Sequence, residues 1–191
     1  PILRSQRTYL KTTSGSISGK YALADLLAIE TKTGSVNVNV QPQVAAAGGS
    51  SSAVFRANTH SGSMRIDFDR KRIPERDYQV YLNSTVGSVD GAFIHGSQTT
   101  IDSVAGSVTV DILPYKSGAF ASRLDTSTHS GQMNVTLRAP YKAKGEPMTA
   151  LMSTHKTVSG GLGLKYPKEW QGYIDGTSLS GELHLQGKDL E

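Results

Sequence analysis

Three acidic residues raise the first chemical question. Asp67 and Asp111 each stand five residues after a glycine, Gly62 and Gly106, and Asp90 stands three after Gly87. Carboxylates gathered on one strand face are the usual acid and base of glycan-cleaving sites. Five histidines, at 60, 95, 129, 155 and 184, raise the question of a zinc site. The aromatics Tyr9, Tyr81, Tyr115, Tyr141, Trp170 and Tyr173 could stack on sugar rings if they face solvent. The basic stretch Asp69-Arg70-Lys71-Arg72-Ile73-Pro74-Glu75-Arg76 raises phosphate binding, although its own acids dilute it. Which of these chemistries can operate depends on how the chain places the residues.

Placement is governed by a phrase repeated eight times: a hydroxyl residue, any residue, a small residue, glycine, then apolar positions at alternate residues. The copies include TKTGSVNV, THSGSMRI, SVAGSVTV and THSGQMNV, and the glycines are Gly15, Gly34, Gly62, Gly87, Gly106, Gly131, Gly160 and Gly181. Repetition on this scale signals an architecture made by stacking. The glycine spacings are irregular, yet Gly15 to Gly87 and Gly34 to Gly106 are both 72 residues, and Gly62 to Gly131 is 69. Pro42 matches Pro114 in that longer register. The chain therefore reads as two and a half copies of a three-coil unit, forming a single domain over residues 1–191.

Side-chain parity gives the local structure. Two residues after each glycine stand Ile17, Val36, Met64, Val89, Val108, Met133, Leu162 and Leu183, all apolar. The fourth and sixth positions are mostly apolar too, with polar residues between, which is the pattern of a half-buried β-strand. Upstream, the position five before the glycine is apolar in the first five repeats, then becomes Thr126, His155 and Gly176. The hydroxyls three before the glycine (Thr12, Thr31, Thr59, Ser84, Ser103, Thr128, Thr157, Ser178) share the inward parity, and so do the small residues one before it. Both columns are expected to face inward at a corner whose backbone angles glycine supplies.

An all-β, parallel β-solenoid of about eight coils accounts for these patterns together. A row of hairpins would satisfy the parity locally, but it gives no reason for like residues to recur in register. In a solenoid, Asp67 and Asp111 lie two coils apart, roughly 10 Å, with Asp90 directly above Arg65, where a cross-strand ion pair is the simpler account. His60 and His129 lie three coils apart, roughly 14 Å, and the histidines read as ordinary surface residues. The inward hydroxyl columns argue against an ice-binding face. No cofactor or metal is expected. Specific binding is expected in the insertions at 41–53, 69–78, 113–121, 138–148 and 165–173, whose aromatics Tyr115, Tyr141, Trp170 and Tyr173 are the candidate contacts.

The phrase T-x-S-G-S-I/V/M-x-I/V, spread from about Thr8 to Leu185, resembles the auto-transporter adhesin head-like, or GIN-type, repeat family of bacterial surface proteins and its fungal relatives. The resemblance implies a non-catalytic, cell-surface or envelope-associated β-helix and transfers no catalytic residue. Composition agrees with such a setting without fixing it. There is no cysteine, so disulfides and thiolate metal sites are excluded. The net charge of +4 is too small and scattered to point to nucleic acid. No signal peptide or membrane span is present, and the opening at Pro1-Ile2-Leu3 suggests that a targeting segment lies outside this sequence. The sequons Asn83-Ser84-Thr85 and Asn134-Val135-Thr136 lean toward an exported protein. The expected function is an adhesin-like module that presents loops to a protein or glycan partner, with end-to-end self-association as a further expectation. The alternative is a carbohydrate-active β-helix enzyme.

Overall fold

The structure is a computed structural model and describes residues 5–116, 121–142 and 144–187. Each repeat contributes one strand before its glycine and one after it. The strands before the corners are β1 (Arg7–Ser14), β3 (Leu26–Thr33), β5 (Ser52–Ser61), β7 (Asp77–Val86), β9 (Gln98–Ala105), β11 (Ser122–Ser130), β13 (Leu151–Ser159) and β15 (Ile174–Ser180). Those after them are β2 (Ile17–Leu23), β4 (Val36–Pro42), β6 (Met64–Phe68), β8 (Val89–His95), β10 (Val108–Pro114), β12 (Met133–Leu137), β14 (Leu162–Lys165) and β16 (Leu183–Gln186). The first set forms one eight-stranded sheet and the second set another, each in coil order. Every pairing is parallel. The fold is a parallel β-solenoid of eight coils.

Like residues stack on like. Val36 pairs with Met64, Met64 with Val89, and Val108 with Met133, so the column two after the glycine runs unbroken through the interior. Members from Val36 to Leu162 are buried, each worth about 2 kcal/mol of apolar transfer. Phe55, Phe68 and Phe93 form an aromatic run between the sheets, with centroids 5.4 and 5.8 Å apart. The upstream column also holds its register to the end: Ile101 pairs with Thr126, Thr126 with His155, and His155 with Gly176.

At the corners, all eight glycines have φ between 134° and 152°. A Cβ on Gly34 would sit 2.2 Å from the Gly15 carbonyl oxygen, so the corner column excludes side chains by close approach as well as by backbone angle. The hydroxyl column is buried from Thr31 to Thr157, and Thr31, Thr128 and Ser178 donate to the glycine carbonyl of the preceding coil at 3.3–3.4 Å. The residues immediately before the glycines differ from expectation. Thr33, Ser130 and Ser159 are exposed, and Val86 is half exposed. Register runs Thr31 with Thr59 and then Thr33 with Ser61, skipping Lys32 and His60. The chain has already begun to bend there, so strict alternation ends two residues before the glycine.

The return segments carry the three-coil rhythm. They are short at 24–25 and 96–97, and long at 43–51, 69–76, 115–121 and 138–150. The seventh, 166–173, is long where the rhythm calls for a short one. The insertions at 113–121 and 138–148 are described only in part, and Lys188–Glu191 lie outside the described residues.

Candidate functional site

The acidic residues sit on the outer face of the second sheet, as their parity requires. Asp67 pairs in register with Ala92, and Ala92 with Asp111, which puts the two carboxylates two coils apart, about 10 Å. Arg65 pairs with Asp90 in register. Among the described residues, however, the ion pairs of this face converge on Asp111 and not on that pair. Arg70 donates to Asp111 at 2.8 Å, and Arg138 forks onto both of its oxygens through Nε at 2.7 Å and through Nη2. Burial raises the Asp111 pKa, but the hydrogen bonds from Arg138 and Arg70 outweigh it and hold the carboxyl below its ordinary value. A carboxylate so held is a poor general base. Arg138 reaches it from the return segment after β12, so the pairing also pins that segment to the sheet.

The basic stretch is less solvated than its composition suggests. Arg70 belongs to the Asp111 pair, and Arg76 is buried. Arg76 donates to Asp25 at 3.0 Å and to the carbonyls of Gln43, Ser50 and Ser52 at 2.8–3.2 Å. One guanidinium thus ties together three return segments: 24–25, 43–51 and 69–76. Asp77 beside it accepts from the Ser97 amide and hydroxyl at 2.6 and 2.7 Å and from Ser52 and Gln79 at 3.1 Å. Burial pushes its pKa up, and these donors together bring it below the ordinary value.

Two histidines overturn the surface reading. His60 and His129 are exposed and three coils apart. His95 and His155, by contrast, are buried. His155 Nδ1 lies 2.6 Å from Thr126 Oγ1 and its Nε2 lies 2.7 Å from the Tyr166 hydroxyl. Thr126 in turn donates to the Met133 sulfur at 3.0 Å. All three contacts are satisfied when Nδ1–H donates to Thr126 and Tyr166 donates to Nε2, which is a neutral imidazole. His95 Nδ1 meets Thr99 Oγ1 at 2.9 Å. Burial lowers both pKa values to about 4, against the opposing charges of Asp77 near His95 and Asp125 near His155. The upstream column is apolar only in the first five repeats, so it gave no inward placement for His155, and the residue's chemical type pointed to the surface. Among the described residues, no three His, Asp or Glu side chains gather as a metal site.

The loop aromatics divide. Tyr115 is 2% exposed and lies between Tyr78 and Tyr141, with centroids 5.8 and 5.9 Å away. Trp170 is half-buried against Tyr166 at 4.9 Å. These rings close the loop edge of the core, which removes Tyr115 as a sugar contact and leaves Tyr141 and Trp170 with mainly packing roles. Tyr173 is the exception at 80% exposure. It borders a groove of about 420 Å³ lined by Thr149, Ala150, Leu151, Met152, Ser153, Thr154, Gly172 and Asp175, a volume within the range of small-ligand sites. Met152, 61% exposed, stands on the outward side of β13 and was not singled out by sequence, although its alternation with buried Leu151 and Ser153 carries that signal.

A second, polar strip runs along the outer face of the first sheet, lined by Arg56, Asn58, Tyr81, Asn83, Thr100 and Asp102. The Arg56 guanidinium lies 5.2 Å from the Tyr81 ring centre, and Ser127 donates to Asp102 at 2.5 Å. The Tyr81 hydroxyl donates to Gln79 and Gln98, and Gln98 donates to Thr100, so Arg56, Tyr81, Thr100 and Asp102 each have a partner on this face. No helix of the described residues is long and apolar enough to cross a membrane. The chain matches no family model, and comparison with curated proteins and with solved structures gives no match either.

Proposed function

We propose that this chain is a non-catalytic, adhesin-like binding module of an extracellular or cell-surface protein, with a rigid solenoid holding a recognition groove for a glycan or protein partner. The observation that carries this reading is Tyr173, a fully presented aromatic beside the exposed Met152 thioether, with Asp175 as the neighbouring polar group. An aromatic face with a nearby carboxylate suits the apolar side of a pyranose ring and its hydroxyls. The repeat phrase, with its resemblance to adhesin heads, supports the same reading. The commitment of Asp111 to two arginines weighs against the carbohydrate-cleaving alternative.

A glycan and cell-surface binding screen tests it. Tyr173→Ala should lower binding of any hit at least tenfold while leaving the far-ultraviolet spectrum unchanged, and Asp67→Ala should leave binding intact. Turnover of a polysaccharide that Asp67→Ala abolishes would replace this reading with the enzymatic one.

A further inference from the structure

The return segment that ends in Tyr173 is fastened at its beginning to a histidine of the interior. Tyr166 opens that segment, and its hydroxyl lies 2.7 Å from His155 Nε2. His155 belongs to β13, is fully buried, and has its Nδ1 2.6 Å from the Thr126 hydroxyl. The half-buried Trp170, the only tryptophan of the chain, packs on the Tyr166 ring at 4.9 Å. The two rings thus lie in sequence between the imidazole and the loop edge, and Tyr173 follows three residues later.

Among the described residues no carboxylate is buried, so none shares the interior with His155. β11 contributes Thr126, while its Asp125 is turned outward and accepts from Arg123 at 2.6 Å. β15 places Gly176 beside His155 in register, with Asp175 exposed on the outer side. β12 and β14, in the opposite sheet, turn Met133, Leu162 and Leu164 inward, and Lys165 is exposed. On its own strand Lys156 is exposed. In the adjoining return segments Glu146 and Lys168 are exposed, and Glu169 is partly so.

A neutral ring satisfies both contacts, with Nδ1–H donating to Thr126 and Nε2 accepting from Tyr166. A proton on Nε2 removes that acceptor and leaves a positive charge in an apolar interior with no buried carboxylate to receive it. Burial lowers the pKa, and the charge of Asp125 offsets only part of that effect. Withdrawal of Tyr166 with its segment lets water reach the ring while both sheets stay paired. The segment is lightly held. Met148 donates to Glu169 at 2.7 Å, Gln171 to Met148 at 3.1 Å, and the Tyr166 amide to Gln186 at 2.9 Å.

We propose that His155 is an acid-operated latch, whose protonation releases Tyr166, loosens 166–173 and moves Tyr173 from its place beside Met152. The functional consequence, release of a bound partner in acid, rests on the reading of Tyr173 as the recognition residue. The loosening itself does not. His95, the other buried histidine, is no part of the latch, because its Nδ1 meets Thr99 in the middle of the stack.

Hydrogen exchange of the 191-residue protein, read as protection factors at pH 7 and pH 5, tests it. Protection across 166–173 should fall by about twentyfold, the ratio set by a pKa of about 4 with the segment closed and 6.5 with it open. β5 and β7 should stay protected over the same interval. His155→Gln should abolish the fall, and His95→Gln should leave it in place. Tyr166→Phe removes the latch without touching the titrating group, so protection across 166–173 should already be low at pH 7. That variant carries the test if circular dichroism shows that His155→Gln does not fold. Unchanged protection across 166–173 between the two pH values overturns the proposal, as does a fall that survives His155→Gln or is lost in His95→Gln. A segment that loosens as expected, in a protein for which the binding screen finds no partner, upholds the latch and refutes the recognition role of Tyr173.

Discussion

At the scale of single residues, the corner glycines separate into an end member and interior members. A Cβ at Gly62 or Gly106 would fall 2.2–2.3 Å from a backbone oxygen of the preceding coil, whereas one at Gly15 meets only the Thr12 hydroxyl at 3.4 Å. Gly106→Ala should therefore cost several kcal/mol more in urea unfolding than Gly15→Ala, which bears the positive-φ penalty alone. The buried histidines predict acid sensitivity. Their folded-state pKa values of about 4 lie below the unfolded 6.5, so the unfolded chain binds more protons between those values. Stability from these groups is full above about pH 6.5 and falls with acidification toward pH 4, each histidine adding to the slope. His155→Gln should flatten part of that slope in pH-dependent denaturation curves. On the outer face, Asp111→Asn should cost about 2 kcal/mol, because it takes the charge partner from the mostly buried Arg70 as well as from the exposed Arg138.

At the scale of elements, the strands are set by parity and the return segments by polar groups that parity cannot see. Arg76 is the clearest case. It lies in a charged, Pro-containing stretch that reads as solvated loop, yet it is buried and holds Asp25, two loop carbonyls and the carbonyl that opens β5. Arg76→Ala would strand the Asp25 carboxylate in a mostly buried place, with an expected loss of about 3 kcal/mol and faster hydrogen exchange across 43–51 and 69–76. The column two after each glycine, and the column five before it in the first five repeats, were legible in sequence because a period of two survives any loop length. The column just before the glycine was misread because the bend begins at residues such as Lys32 and His60, ahead of the glycine. The site was legible only in part. Tyr115 and Tyr173 are the same residue type in two return segments, and one packs on Tyr78 while the other projects. That difference depends on the tertiary path of each loop, which no spacing records.

At the scale of the whole molecule, one continuous core runs from the second coil to the seventh, with the end coils packed against it, so the insertions can vary while the interior columns stay fixed. The three-coil rhythm persists through six return segments and lapses at 166–173, which is also where the exposed Tyr173 emerges. In the proposed binding role, that departure from the rhythm is where contact with a partner is made. All of this rests on parallel coils in register, and the absence of cysteine makes that directly measurable. Lys32 and Val158 occupy equivalent outward positions in the second and seventh coils. Spin labels on the double variant Lys32→Cys, Val158→Cys should give a pulsed electron–electron distance centred at about 24 Å, five coil steps. A distance near 48 Å, as a row of hairpins advancing two strands per repeat would give, contradicts the account.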